Sequence, residues 1–217
     1  MTKEADGALD AVAALGDPLR RRLYRFVGAQ DHAVGRDEAA RGVGASRSAA
    51  AFHLDRLVDD GLLETEFRRL TGRQGPGAGR PAKLYRRAAR GISVSLPDRR
   101  YELAAGLLAT AVTEATDNGE PIDIVLHRVA RRRGALIAAS AGTLTDALAV
   151  EGYEPRQDDR EIVLGNCPFS GIVAEHTELV CRMNLAVLEG LTEAIPGAGF
   201  TAHLRPTEGA CCVRLTR

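Results

Sequence analysis

Apolar and polar positions along the chain follow two periods, and the switches between them mark out the elements. Ala8–Leu15 carries a helical pattern that stops at Gly16. Asp17 then offers a side-chain cap, and Pro18 suits the first helical position, where its missing N–H costs nothing. Leu19, Leu23, Phe26 and Val27 recur at helical spacing and predict the buried stripe of a second helix. After a polar break at residues 30–35, residues 36–41 predict a short helix punctuated by Gly42 and Gly44. Ser46 caps a longer helix that runs to about Asp60 and ends at Gly61. On that helix Ala50, Leu54, Leu57 and Val58 form one apolar stripe, while Arg47, Ser48, Ala51 and Asp55 fall on other faces. Residues 62–69 alternate as a strand, and residues 82–86 predict a returning strand.

A linker over residues 91–98 leads to helices predicted at 101–116, 122–139 and 144–150. In the second of these, Ile124, Val125, Val129 and Leu136 are expected inward, with Arg128, Arg131, Arg132 and Arg133 outward. Further on, a strand is predicted at 161–165 and helices at 168–175 and 178–194, parted near His176 and Thr177. A turn at 196–199 and strands at 200–204 and 211–215 complete the chain. The expectation is an α+β protein in three parts. Residues 1–90 form a winged helix-turn-helix, 91–150 a helical dimerisation segment, and 151–217 a small α+β sensor domain with one long helix over a sheet.

Composition is that of an ordinary globular protein, with 45% hydrophobic and 27% charged residues. No apolar run is long enough to span a membrane, and the polar start lacks the pattern of a signal peptide, so a cytoplasmic location is expected. The net charge of zero conceals a split: residues 1–90 carry a balance of +5 and residues 91–217 one of −5. From Arg68 to Arg90 there are eight basic residues and no acidic one. That run lies on a Gly- and Arg-rich hairpin, which can follow phosphates or reach the minor groove. The candidate DNA contacts are Ser46, Arg47, Ser48, Ala51, His53 and Arg56 on the helix that Ser46 caps, and Arg68, Arg69, Arg73, Arg80, Lys83 and Arg86 on the wing. Small side chains at Ser48 and Ala51 let a helix approach base edges, with Arg47 available to a guanine or a phosphate.

Leu15-Gly16-Asp17-Pro18-Leu19-Arg20, the stretch 46–57 with His53-Leu54, Gly61-Leu62-Leu63 and the wing ending Gly79-Arg80-Pro81-Ala82-Lys83-Leu84-Tyr85 resemble the winged helix-turn-helix of the ArsR and MarR superfamily. The resemblance implies binding to double-stranded operator DNA, as a homodimer if the helices of 101–150 pair across a two-fold axis. The Cys-Val-Cys pattern of the metal-sensing ArsR branch is absent from the helix that Ser46 caps.

Cys167, Cys181, Cys211 and Cys212 all fall in the last third of the chain. Cys167-Pro168 predicts a thiol at a helix cap, and Cys181 falls in the first turn of a helix that Thr177 would cap. Helix starts lower thiol pKa values, which points to thiolates for a metal or for redox chemistry. The spacing is not that of a zinc ribbon but is compatible with an iron–sulfur cluster or with buried small hydrophobes. Of the vicinal pair, Cys212 is the expected participant, because Cys211 shares its strand face with Val213 and Leu215. Residues 166–169 (Asn-Cys-Pro-Phe), Glu175-His176, 179–185, Leu188-Glu189-Gly190 and Cys211-Cys212-Val213 resemble the C-terminal domain of SufR-type regulators. That resemblance implies a [4Fe–4S] cluster on Cys167, Cys181 and one of Cys211 or Cys212, with His176 the candidate fourth ligand. It also implies repression of genes for iron–sulfur cluster assembly. A regulator sensing zinc, thiol oxidation or a small molecule is the alternative. An enzyme with Cys167 as nucleophile and His176 or His203 as base is not expected, since no Asp partner or Gly-rich oxyanion site accompanies them.

Overall fold

The computed structural model describes residues 3–69, 81–206 and 209–217. It is an α+β protein that divides into two compact units, Met1–Val94 and Ser95–Arg217.

The first unit runs α1 (Lys3–Ala14), α2 (Pro18–Gly28), β1 (Val34–Gly35), α3 (Arg36–Val43), α4 (Arg47–Asp59), β2 (Leu63–Arg68) and β3 (Ala82–Arg87). The caps lie where the sequence places them. The Asp17 carboxylate accepts the backbone N–H of Arg20 at 2.8 Å, and the Ser46 hydroxyl accepts that of Ala49 at 3.2 Å. Gly44 closes α3 in the left-handed conformation, φ 64°. Leu23, Val27, Ala50, Leu54 and Leu57 form the core with Leu63 and Tyr85 from the wing strands. The sheet has the order β1-β3-β2, all antiparallel. The two-residue β1 was not foreseen within the polar break at 30–35: it exists because Val34 pairs with Tyr85 and Gly35 with Leu84.

The second unit contains α5 (Tyr101–Asn118), α6 (Ile122–Ala139), α7 (Leu144–Val150), β4 (Pro155–Gln157), β5 (Glu161–Leu164), α8 (Ser170–Ala194), β6 (Thr201–Leu204) and β7 (Val213–Thr216). Its antiparallel sheet has the order β4-β5-β7-β6. A single core joins Ala104, Val125, Ile137 and Leu148 to Ile162, Val187 and Val213. Residues 95–150 are thus not a separate segment, as the three-part division had it, because their apolar faces are buried against the sheet and α8.

Two glycines set the crossing of α6 and α8. A Cβ on Gly134 would lie 1.9 Å from the Val187 carbonyl oxygen, and one on Gly190 would lie 1.9 Å from that of Arg131. The buried face of α6 comprises Val125, Leu126, Val129, Ala130, Gly134, Ile137 and Ala138. Ile124 and Leu136, expected inward, are 53% and 59% exposed. The close approach at Gly134 turns the small-residue side of α6 to α8, which carries those two residues outward. The four arginines of α6 are exposed, as expected.

Helix α8 is interrupted at His176, whose φ of −132° and ψ of 45° are non-helical, at the predicted break. The helix start differs from expectation. Phe169 is the N-cap, while the Cys167 carbonyl accepts the N–H of Ser170 in a turn before the helix. Thr177 does not cap a helix either, since its hydroxyl donates to the Val173 carbonyl at 2.6 Å.

Candidate nucleic-acid interface and cysteine centre

Helix α4 turns Ala50, Leu54 and Leu57 into the core, and this leaves Ser46, Arg47, Ser48 and Arg56 exposed. Ala51 and His53 are half-buried, and His53 packs edge-on against Phe52 with ring centroids 5.2 Å apart. Arg47 is paired with Asp37 at 2.6 Å and Arg56 with Asp60 at 3.2 Å. Along the wing, Arg68 lies 3.7 Å from Glu66 and Arg86 lies 3.4 Å from Glu64, while Arg69 is exposed. Arg73 and Arg80 fall outside the described residues. The partners of Arg47, Arg68 and Arg86 are themselves at least partly exposed, and such ion pairs contribute little, so phosphates can replace those carboxylates at small cost.

Lys83 has a second role beyond its charge. Its ammonium donates to the Asp55 carboxylate at 2.6 Å, and the buried Tyr85 hydroxyl donates to the same oxygen at 2.7 Å. Asp55 lies on α4 and both donors on β3, so this group ties the helix to the wing. Burial opposes the Asp55 charge, but the bonds from Lys83 and Tyr85 outweigh it and hold the carboxyl below its usual range.

Two aromatic residues were missed in the sequence. Phe52 on α4 and Phe67 on β2 are 68% and 67% exposed. Phe52 stands one turn beyond Ser48, off the apolar stripe, which was the available signal. An exposed phenyl on this face suits contact with a thymine methyl.

In the second unit the fold brings all four cysteines together from three places: the turn before α8, α8 itself, and the approach to β7. The Cys167 thiol interacts with Cys211, Cys211 with Cys212, and Cys212 with Cys181. All four are free thiols, Cys181 and Cys211 buried and the other two half-buried. His176 is exposed at the kink and takes no part in that chain of contacts. Among the described residues no three Cys, His, Asp or Glu side chains converge tightly enough to hold a single metal ion.

The thiols are not the low-pKa pair that helix starts would make. The bond from Cys167 to Cys211, together with burial, pushes the Cys167 thiol far up. Burial raises Cys181. For Cys211 the bond from Cys167 favours the anion, but the Cys212 contact and burial outweigh it and push the thiol up to about 11. Cys167 lies in a turn before the helix rather than at its cap, and burial, not the helix start, sets the direction for Cys181.

Two buried asparagines frame the centre. Asn166, 6% exposed, donates to the carbonyls of Asp98 at 3.0 Å and Gly152 at 2.6 Å, and accepts from Arg99 at 2.6 Å. Arg99 also donates to the Cys167 carbonyl at 3.4 Å, and the Arg100 N–H donates to the Pro168 carbonyl at 3.0 Å. Residues 98–100 are therefore clasped to the loop that bears Cys167. Asn184, on α8 three residues beyond Cys181, donates to the Cys211 sulfur at 3.2 Å and accepts from the Tyr153 hydroxyl at 2.6 Å. Burial first, then the charges of Cys211 and Cys167, push the Tyr153 pKa well up, so its phenol stays protonated and donates.

No helix among the described residues is long and apolar enough to cross a membrane. Comparison with curated proteins and with solved structures gave no match. Residues 15–66 match a family described as a helix-turn-helix domain, over α2, α3, α4 and most of β2, and such a domain points to a DNA-binding transcription regulator.

Proposed function

We propose that this regulator holds a [4Fe–4S] cluster on its cysteine centre and represses genes of iron–sulfur cluster assembly from a double-stranded operator. The observation that carries this reading is the chain of four interacting thiols, a donor set of sulfur alone gathered from segments far apart in sequence. Sulfur-only ligation suits iron–sulfur clusters, whose ligands spread around several irons rather than converging on one ion. A cluster would supply sensitivity to oxygen and to iron supply. Cys167, Cys181 and one of Cys211 and Cys212 would hold it, losing their protons on binding.

The Cys167 loop gives the signal a route. Asn166, Cys167 and Pro168 bind residues 98–100, which follow in the chain directly on the segment leaving the DNA-binding unit. A shift of the Cys167 loop changes how that segment is held, and only a difference in DNA affinity between the two states transmits the signal. The protein acts as a homodimer. Supporting this, one side of α5 presents exposed Tyr101, Ala105, Ala109 and Val112 at helical spacing.

Anaerobic purification followed by iron and acid-labile sulfide determination tests the cluster. One cluster per chain is expected, and tightly bound zinc without sulfide would replace this reading with a zinc-responsive one. The direct contact of Cys167 with Cys211 favours thiol oxidation as a second reading, recognised by a disulfide that forms reversibly in protein without iron. On the DNA side, replacing Arg68 and Arg86 together by Ala removes four cations from the dimer and should reduce the slope of log affinity against log salt by about 4. An unchanged slope would count against phosphate contact by the wing.

A further inference from the structure

The vicinal pair Cys211-Cys212 presents a choice of ligand, and the packing around it is unequal. Cys211 is 1% exposed and receives the Asn184 amide N–H at 3.2 Å. Cys212 is half-buried, and among the described residues no side-chain amide donates to it. Asn184 is itself fully buried, and its carbonyl oxygen is occupied by the Tyr153 hydroxyl at 2.6 Å. A buried amide is costly unless its polar atoms are satisfied. A neutral thiol is a weak acceptor, so a buried N–H aimed at one is poorly compensated. A thiolate is a strong acceptor, and the same N–H then makes a charge-assisted bond.

The orientation follows the same logic. A thiolate can only accept, so the NH2 side of Asn184 must face it and the carbonyl side must face Tyr153. Tyr153 in turn must donate. Its hydroxyl does so, from a residue 2% exposed beside the cysteines.

We infer that Cys211, and not Cys212, is the thiolate ligand of the vicinal pair, and that Asn184, aligned by Tyr153, is the positioning residue that donates an N–H···S hydrogen bond to it. The inference rests on the cluster reading above and reverses the choice that strand alternation favours. Alternation separates the two thiols by face but says nothing about which face supplies a donor. Hydrogen bonds to ligand sulfur stabilise the more negative, reduced state and so raise the reduction potential. Asn184 and Tyr153 thereby act on the cluster without touching iron.

The test uses the full chain, reconstituted anaerobically with iron and sulfide, as wild type and as Cys211→Ser, Cys212→Ser, Tyr153→Phe and Asn184→Asp. Circular dichroism confirms folding, iron and sulfide per chain report ligation, and spectroelectrochemistry reports the midpoint potential. Wild type and Cys212→Ser should carry a full cluster, and Cys211→Ser less than a tenth of it. Tyr153→Phe, which removes one oxygen and keeps the ring, should keep the cluster at a more negative potential. Asn184→Asp should move it further in that direction or lose the cluster. Retention by Cys211→Ser with loss by Cys212→Ser would overturn the ligand choice while leaving the cluster reading in place. A folded, fully loaded Tyr153→Phe at the wild-type potential would overturn the role of the Asn184 bond. Wild-type protein that takes up neither iron nor sulfide would overturn the cluster reading and this inference with it.

Discussion

Replacing Gly134 by Ala perturbs the α6–α8 crossing at a point where the structure leaves no room. The added Cβ would lie 1.9 Å from the Val187 carbonyl oxygen, 2.7 Å from the Leu191 nitrogen and 2.9 Å from the Val187 carbonyl carbon. Ordinary contact begins near 3.4 Å, and all three atoms are backbone of α8. No side-chain rotation can relieve the clash, so the helices must separate by about 1 Å or more. Overpacking costs about 1–3 kcal/mol, and three clashes with backbone put this site at the upper end, about 2–3 kcal/mol. Against it stands the gain of about 1 kcal/mol for Ala over Gly inside a helix. The net expectation is a loss of about 1–2 kcal/mol, or a fall in Tm of roughly 4–10 °C for a unit of this size. Gly106 in α5 is the control, since a Cβ there meets nothing within 4 Å. Gly106→Ala should gain about 0.4–1 kcal/mol from the unfolded state alone. Thermal and urea unfolding followed by circular dichroism measure both. Gly190→Ala should resemble Gly134→Ala, and the double variant should cost less than the sum, because one separation of the helices relieves both clashes. If Gly134→Ala were as stable as wild type, or gained stability as Gly106→Ala does, the backbone contact would not be what holds α6 and α8 together. The crossing also fixes the helix that bears Cys181 and Asn184, so on the proposed cluster reading the destabilised variant should take up less iron and sulfide.

Asn166→Ala removes the donor of two backbone carbonyls and the acceptor of Arg99, and should cost about 2–3 kcal/mol in urea unfolding. With the cluster still loaded, it should also abolish the difference in operator affinity between loaded and unloaded protein; a full difference retained would sink the proposed route. Tyr85→Phe should cost about 1 kcal/mol by removing a buried hydroxyl from Asp55, read in the same assay. The Asp55 carboxyl is held below its ordinary 3.8, so its contribution is present above that pH and lost as pH falls through the lowered value. Asp55→Asn should therefore flatten the acid limb of the stability curve, and an unchanged limb would remove Asp55 from the account. His32 is raised above 6.5 by its hydrogen bonds to Asp31 and then Glu38, so its contribution is full below pH 6.5 and disappears as pH rises through the raised value. An NMR titration of His32 with a midpoint at or below 6.5 would contradict that assignment.

What could be read from the sequence is what local chemistry decides. Asp17, Ser46, Gly44 and the break at His176 act within a few residues of themselves, so their residue types alone predicted the caps, the helix ends and the kink. The same holds for the stripe of Ala50, Leu54 and Leu57, which set the exposed face of α4 and hence the candidate DNA surface. Local reading failed where two competing signals lay close together. Pro168 suits a first helical position, yet it falls in a turn closed by the Cys167 carbonyl, and the helix waits for Ser170. Apolar identity also misplaced Ile124 and Leu136, because the fit of Gly134 against α8 determines which side of α6 is buried. Tertiary structure alone made strands of Val34–Gly35 and Pro155–Gln157, too short to have a period, by pairing them with β3 and β5. It alone brought Lys83 to Asp55, Arg99 to Asn166 and Asn184 to Cys211, across separations of 28, 67 and 27 residues. Spacing along the chain carries no trace of such contacts. They arise when apolar faces are buried together, and the polar groups carried in with them must then find partners from whatever segments burial has made neighbours.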